Sequence, residues 1–208
     1  MERIREGVRR FSAEIFPRKR KLYEDLAEKQ KPDALFLTCG DSRIDPSLLT
    51  GSEPGEIFVE RTPGNIVPIY DEAGRIGESA SIEYAVAVLG VRDIIVCGHS
   101  ACGAMTALLQ PELLPAIPVT ARWLSYAAPA VEALARMHPA PAAADRLGLL
   151  TRLNVLAQMA HLHTHPAVAD RVRAGALGIH GWFYEIHTGR IEACDPATGA
   201  FRPWPDPR

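Results

Sequence analysis

The sequence predicts an α/β protein: a central, mostly parallel β-sheet flanked by helices, with an N-terminal helical extension and a C-terminal β-hairpin. Three observations carry this. Short apolar runs, "ALFLTC", "EIFVER" and "DIIVCG", have strand length. Helical stretches separate them, and strands alternating with helices argue a largely parallel sheet. Near the end, "IHGWFYEIHTGRIEACDP" places two strand-like runs around the turn Thr188-Gly189, the pattern of a hairpin.

Taken in order, residues 1–31 read as two helices. Ile4, Val8, Phe11 and Ile15 recur at helical spacing, Pro17 interrupts, and Leu22, Tyr23 and Leu26 continue an apolar face. The first strand is Ala34 to Cys39, followed by the polar turn "GDSRIDP". The second is Glu56 to Arg61, running into a Pro63-Gly64 turn. Ser79 to Leu89 is Ala-rich and helical, with Gly90 placed as a C-cap. The third strand, "DIIVCG", leads into the helical "ACGAMTALL". Pro111 to Pro141 is rich in Pro and Ala, with a helix expected at Val119 to Met137. Leu147 to His163 reads as another helix. With no repeat or low-complexity linker, the expectation is one domain, 1–208, of which 1–31 form a helical arm.

Composition excludes several classes. The chain of 208 residues is 47% hydrophobic and 23% charged, as soluble proteins are. Its net charge is −2, and "RKRK" at Arg18 to Lys21 is followed by Glu24, Asp25 and Glu28, so nucleic acid is disfavoured as a partner. "MERIREGVRRF" lacks the apolar stretch of a signal peptide, and no apolar run approaches the ~18 residues of a membrane span. A cytoplasmic protein is expected, its four cysteines (Cys39, Cys97, Cys102 and Cys194) reduced thiols.

The stretch "DIIVCGHSACGAM" raises the functional question. A run of buried-type residues opens straight onto Gly98, His99 and Cys102. One answer is packing, since Cys and a satisfied His both occur in cores. The other is that a strand delivers metal ligands to a cleft, because ligands gather at the carboxyl ends of strands in such sheets. Cys39 stands at the end of the first strand and His99 at the end of the third; if these are parallel neighbours, the two meet. Cys102, three residues on, can turn back to the same point. Two thiolates and an imidazole suit Zn²⁺, and three protein ligands leave open the fourth position that marks a catalytic site. In "CGDSR", Asp41 and Arg43 lie two apart in a turn and can pair. Alone this is a surface ion pair of little worth. Beside Cys39, an Asp held ionised by Arg is suited to orient a reacting water.

Together, C-G-D-S-R and G-H-S-A-C-G resemble the signature of the β-class carbonic anhydrases. The likeness extends from Gln30 through "PGEIFVER" and "SIEYAV" to "HGWFYEI". The resemblance implies that Cys39, His99 and Cys102 hold one zinc per chain and that Asp41 with Arg43 forms the catalytic dyad. It implies a lyase activity, the reversible hydration of CO2 to bicarbonate and a proton by zinc-bound hydroxide. Gln30, Phe58 and Tyr84 fall where the plant-like subgroup carries substrate-binding residues. Members with an allosteric bicarbonate pocket carry a Trp where this chain has Phe36, although Arg61 and Tyr184 match that pocket's other places. The resemblance therefore points to the plant-like subgroup without the regulatory site. "RTPGN" departs from the family's usual residues at Thr62 and Pro63. A homodimer or dimer-based oligomer is also implied, with the N-terminal helices embracing the partner. Two thiolates cancel the zinc charge, so activity is expected to rise with pH above neutrality.

Other readings are weaker. "GHSAC" fails the G-x-S-x-G elbow at Cys102. A cysteine phosphatase needs a longer glycine-rich loop between Cys39 and Arg43. In "HLHTHP", Pro166 is expected to end a helix, with His161 and His165 capping it rather than binding metal. His138, His180 and His187 default to structure, and Cys97 and Cys194 to packing. The alternatives for function are a non-catalytic zinc-binding homologue and a CS2 or COS hydrolase on the same fold.

Overall fold

A computed structural model describes residues 1–72, 76–138 and 142–205, so the end of the Pro- and Ala-rich stretch, 139–141, lies outside the described residues. The chain divides into two units, Met1–Lys31 and Pro32–Arg208. The first is a run of helix: α1 (Glu2–Arg10), a π-helical turn at Phe11–Ile15, α2 (Phe16–Arg18) and α3 (Arg20–Glu28). The break expected at Pro17 falls instead at Lys19, where φ −111° and ψ 15° leave the helical region. Pro17 sits in the first turn of α2, where its missing N–H is tolerated. Phe11, Phe16 and Tyr23 form an aromatic cluster with ring centroids 5.4–6.3 Å apart. Ile4 and Val8 on α1 remain exposed.

In the second unit the strands are β1 (Ala34–Cys39), β2 (Ile57–Thr62), β3 (Asp93–His99), β4 (Gly178–Glu185), β5 (Arg190–Cys194) and β6 (Phe201–Trp204). They form one sheet in the order β2-β1-β3-β4-β5-β6. β2, β1, β3 and β4 run parallel, while β5 and β6 add on antiparallel, so the parallel sheet and the closing hairpin are both present. β6, four residues containing a proline, carries too weak a strand signal to be read from sequence.

The helices of this unit are α4 (Pro46–Thr50), α5 (Gly77–Glu83), α6 (Gly103–Leu109), α7 (Pro118–Leu124), α8 (Ala128–Met137), α9 (Ala143–Leu162) and α10 (Pro166–Arg173). Central β1 and β3 are buried on both faces, which is why they read as continuous apolar runs. Leu35, Leu37, Ile94 and Val96 face Ile82 of α5, Val155 and Leu162 of α9 and Val168 of α10. On the other face, Phe36, Ile95 and Cys97 pack with Trp182, whose ring meets that of Phe36 edge-on at 5.9 Å.

Two expectations are corrected, and a third is borne out with a change of helix type. The helix expected at Val119 to Met137 is broken by a 3₁₀ turn at Ser125–Ala127, with Pro129 opening α8. α5 continues into a π-helical segment, Tyr84–Leu89, which Gly90 closes at φ 71° as anticipated. Pro166 starts α10 rather than ending α9, because the chain turns at His163 and proline suits the first position of a helix. Neither the His161 nor the His165 side chain caps the end of α9. Nδ1 of His161 donates to Val67 O at 2.8 Å and Nε2 of His165 to Pro68 O at 3.0 Å, fastening α9 to the segment after β2.

Candidate metal centre

Register brings the predicted ligands together. Thr38 pairs with Cys97 across β1 and β3, so Cys39 and His99 end these adjacent strands within one residue of the same level. Cys102 follows as the residue before α6. All three are buried, and their ligand atoms lie within 4.8 Å of one another. Tetrahedral bonds of about 2.3 Å to sulfur and 2.1 Å to nitrogen put neighbouring ligand atoms roughly 3.5–3.8 Å apart, so a modest contraction satisfies zinc.

The imidazole is prepared for this role. Nδ1 of His99 lies 2.9 Å from Ser100 O, and a carbonyl only accepts, so the proton sits on Nδ1. That leaves a bare lone pair on Nε2, which is buried and has no hydrogen-bond partner. An orphaned acceptor facing two thiols is what a metal ligand looks like before its metal is counted. The thiols are paired too: a hydrogen bond from Cys102 holds Cys39 far below the ordinary thiol range, while the same contact and burial push Cys102 up. The donor set, soft sulfur with borderline nitrogen, fits Zn²⁺.

Beside this trio stands the Asp41–Arg43 pair. Arg43 donates from Nε to Oδ1 at 2.9 Å and from a terminal nitrogen to Oδ2 at 2.6 Å, and its backbone N–H reaches Oδ1 at 3.0 Å. The Arg43 side-chain hydrogen bonds hold the Asp41 carboxyl well below the usual carboxylate range. Oδ2 lies 4.0 Å from His99 Nε2, outside the ligand trio but next to it. Arg43 also donates to Ala101 O at 2.9 Å, tying the pair to the turn between His99 and Cys102. Ala101 holds that loop at φ 54°, a left-handed conformation rare for a residue with a Cβ.

Arg61 acquires a different role from the pocket place its resemblance suggested. Its Nε donates to Cys39 O at 3.2 Å and a terminal nitrogen to Asp41 O at 2.7 Å, clamping the backbone on both sides of Gly40. Gly64 donates its N–H to Cys39 Sγ at 3.4 Å. Sequence reasoning missed both contacts, because their targets are a backbone carbonyl pair in one case and a backbone donor in the other.

The remaining predicted residues stand elsewhere. Phe58 and Tyr84 meet each other, ring centroids 6.1 Å apart, and Phe58 is paired with Leu35, four positions before Cys39 on β1. Gln30 is exposed beyond the end of α3 in the N-terminal unit. Phe36 is fully buried against Trp182 on the sheet face described above. Ser100 is a turn residue whose Oγ accepts the Ile186 N–H at 3.0 Å.

Comparison with known proteins agrees with this geometry. A family model described as "Carbonic anhydrase" matches residues 34–191, a span that includes Cys39, Asp41, Arg43, His99 and Cys102. A carbonic anhydrase of Pseudomonas aeruginosa is 49% identical over 201 residues, spanning 97% of this chain and 90% of that protein. Carbonic anhydrase 1 of Escherichia coli O157:H7 is 47% identical over 208 residues, spanning 98% and 92%. Among solved structures, the β-carbonic anhydrase CcaA superposes with a TM-score of 0.94 at 38% identity, covering 98% of each chain. A Coccomyxa β-carbonic anhydrase, solved in complex with acetazolamide, gives 0.80 at 30% identity, covering 91% of this chain and 84% of its own. Such identity along nearly the full length, with a backbone that superposes on a solved relative over 98% of both chains, leaves one conclusion: the chain belongs to the β-carbonic anhydrase family.

Proposed function

We propose that this protein is a zinc-dependent carbonic anhydrase of the plant-like subgroup, interconverting CO2 and bicarbonate. The observation that carries the reading is the convergence of Cys39, His99 and Cys102, with an unpartnered Nε2, beside an ionised Asp41. Zinc held by the trio supplies a Lewis acid that lowers the pKa of water toward neutrality.

The chain's own residues do the rest. Asp41, pinned by Arg43, is an acceptor of fixed orientation 4.0 Å from His99 Nε2; it takes a hydrogen bond from the reacting water and aims the oxygen lone pair at CO2. Arg43 cannot give up its proton, so Asp41 keeps its charge through the working pH range. The Asp41–Arg43 pair has no use in a merely structural zinc site, which argues against a non-catalytic homologue. Phe36, buried where pocket-bearing relatives carry Trp, supports the absence of a regulatory bicarbonate site.

Gln30, Phe58 and Tyr84 are assigned to the substrate pocket, Gln30 as a donor to a CO2 or bicarbonate oxygen and the rings as its apolar wall. Phe58 lies four residues, roughly 13 Å of strand, below the level of Cys39. At that distance the two rings do not line their own chain's centre and serve that of a second copy. β2 is an edge strand, Val59 on it is exposed, and exposed Tyr84 meets Phe58 on the same strand, consistent with a homodimer across this edge. Relatives from Sordaria macrospora are described as tetrameric. A cytoplasmic setting suits the four free cysteines. Among the described residues, no helix is long and apolar enough to cross a membrane.

The test is stopped-flow CO2 hydration with zinc content measured alongside. The wild type carries about one zinc per chain and hydrates CO2; Cys39→Ser loses both. A wild type that binds zinc but leaves CO2 untouched refutes the enzyme, and turnover of CS2 or COS instead would redirect the substrate.

A further inference from the structure

Behind the metal centre, the turn Pro63-Gly64-Asn65 is held by buried groups that the reaction chemistry does not use. Gly64 gives its N–H to Cys39 Sγ at 3.4 Å. Its carbonyl accepts from Nδ2 of Asn154 on α9 at 2.9 Å. Oδ1 of Asn154 in turn accepts from Nε2 of Gln158 at 2.9 Å, and Oε1 of Gln158 takes the Val67 N–H at 2.9 Å. Both amides are fully buried.

Only one orientation satisfies this chain of contacts. A carbonyl accepts and never donates, so Asn154 must present its NH2 to Gly64 O. Its oxygen then needs a donor, which Gln158 supplies, and the Gln158 oxygen is left for Val67, whose N–H only donates. Each amide fixes the next. The turn itself has no slack: Gly64 sits at φ 78°, and a Cβ there would meet Ala104 Cβ at 3.0 Å and Met105 Cε at 3.1 Å. It is therefore pressed against α6, directly after Cys102, while its N–H holds Cys39.

We propose that Asn154, oriented by Gln158, is a positioning residue for the Cys39 ligand: it fixes the Gly64 peptide so that its N–H bonds the ligand sulfur, and so sets how tightly the centre holds its metal. The proposal rests on the zinc reading above. An N–H donor draws negative charge from a thiolate and limits its motion, as outer-shell partners do for metal ligands generally. The spacing of Asn154 and Gln158, four apart on a helix, places both on one face, toward the segment after β2.

Zinc affinity by chelator competition, and the sulfur-to-metal absorption band of the Co²⁺-substituted protein, test this in the full-length chain. Asn154→Asp is isosteric and keeps Oδ1 for Gln158 but replaces the donor facing Gly64 O with an acceptor. Gln158→Glu keeps an oxygen for Val67 and loses the donor to Asn154. Thr151→Val is the control: Thr151 is equally buried on α9, and its Oγ1 bonds Leu147 O within its own helix. Expected are a loss of about 10- to 100-fold in zinc affinity and a shifted band for both amide variants, with Thr151→Val like wild type. Folded amide variants with unchanged affinity and band overturn the proposal. So does a Thr151→Val loss of the same size, which would mean that any disturbance of α9 suffices. A wild type that takes up no zinc defeats the reading of the centre itself, a result distinct from either.

Discussion

Gly98 stands one residue before His99, and replacing it with alanine tests how closely α9 backs the candidate metal centre. The added Cβ meets Val155 Cγ2 at 2.8 Å and Thr151 Cγ2 at 3.0 Å. Neither neighbour can rotate away. Valine on a helix is confined to one χ1 rotamer, and Thr151 is fixed by its bond to Leu147 O at 2.8 Å. Relief requires α9 to move off β3. Overpacking of this kind costs about 1–3 kcal/mol, and contacts this short belong to the upper half of that range. Against it, losing the unfolded-state freedom of glycine returns about 0.4–1 kcal/mol. The net loss is about 1–2.5 kcal/mol, which for a chain of this length lowers Tm by about 2–10 °C. Gly77→Ala gives the opposite sign: a Cβ there has nothing within 4 Å, at the first residue of α5, and stability rises by about 0.4–1 kcal/mol. Thermal unfolding followed by circular dichroism at equal zinc loading reads both. A Gly98→Ala protein melting at or above the wild-type temperature refutes the claim that β3 and α9 touch without room for a methyl.

Three further outcomes follow from the centre. Asp41→Asn, which keeps size and removes charge, lowers CO2 hydration roughly 10²-fold or more with zinc content intact; an unchanged rate takes the carboxylate out of the reaction. Because Arg43 depresses the Asp41 pKa below its ordinary value near 3.9, the pairing stabilises the fold fully above about pH 4 and is lost as pH falls through the folded value. Arg43→Gln raises that folded value toward the unfolded one, so the variant forfeits the contribution above about pH 4 and loses less stability than wild type as pH falls below it; urea unfolding across the acid range, compared between two proteins that share Cys39, His99 and Cys102, isolates the effect, and equal pH slopes contradict it. Finally, two thiolates leave zinc a weaker Lewis acid than three imidazoles do, so hydration rises with pH above neutrality, and a flat rate–pH profile contradicts the assigned ligand set.

What the sequence disclosed about this centre, and what it withheld, divides along a physical line. Cys39, His99 and Cys102 were readable because each side chain carries its own chemistry and because parallel strand ends bring distant residues level, as the register of Thr38 with Cys97 does here. The Asp41–Arg43 pair was readable for the same reason, with complementary charges two residues apart. Pro166 misled because a proline after a helical pattern serves equally as a stop or as the first residue of the next helix, and the turn at His163 decides between them. Phe58 and Tyr84 were matched by type, but only the pairing of Phe58 with Leu35 shows that Phe58 lies four residues below the level of Cys39. The parts that stayed hidden are those that act through backbone. Arg61 grips the carbonyls of Cys39 and Asp41, Arg43 grips that of Ala101, and Gly64 offers an N–H to Cys39 Sγ. Every residue but proline owns such a donor and every residue such an acceptor, so no letter marks the ones in use. The ligands of a metal centre are therefore written in side chains, whereas the framework that aims them is written in peptide groups, and only their placement in space makes it visible.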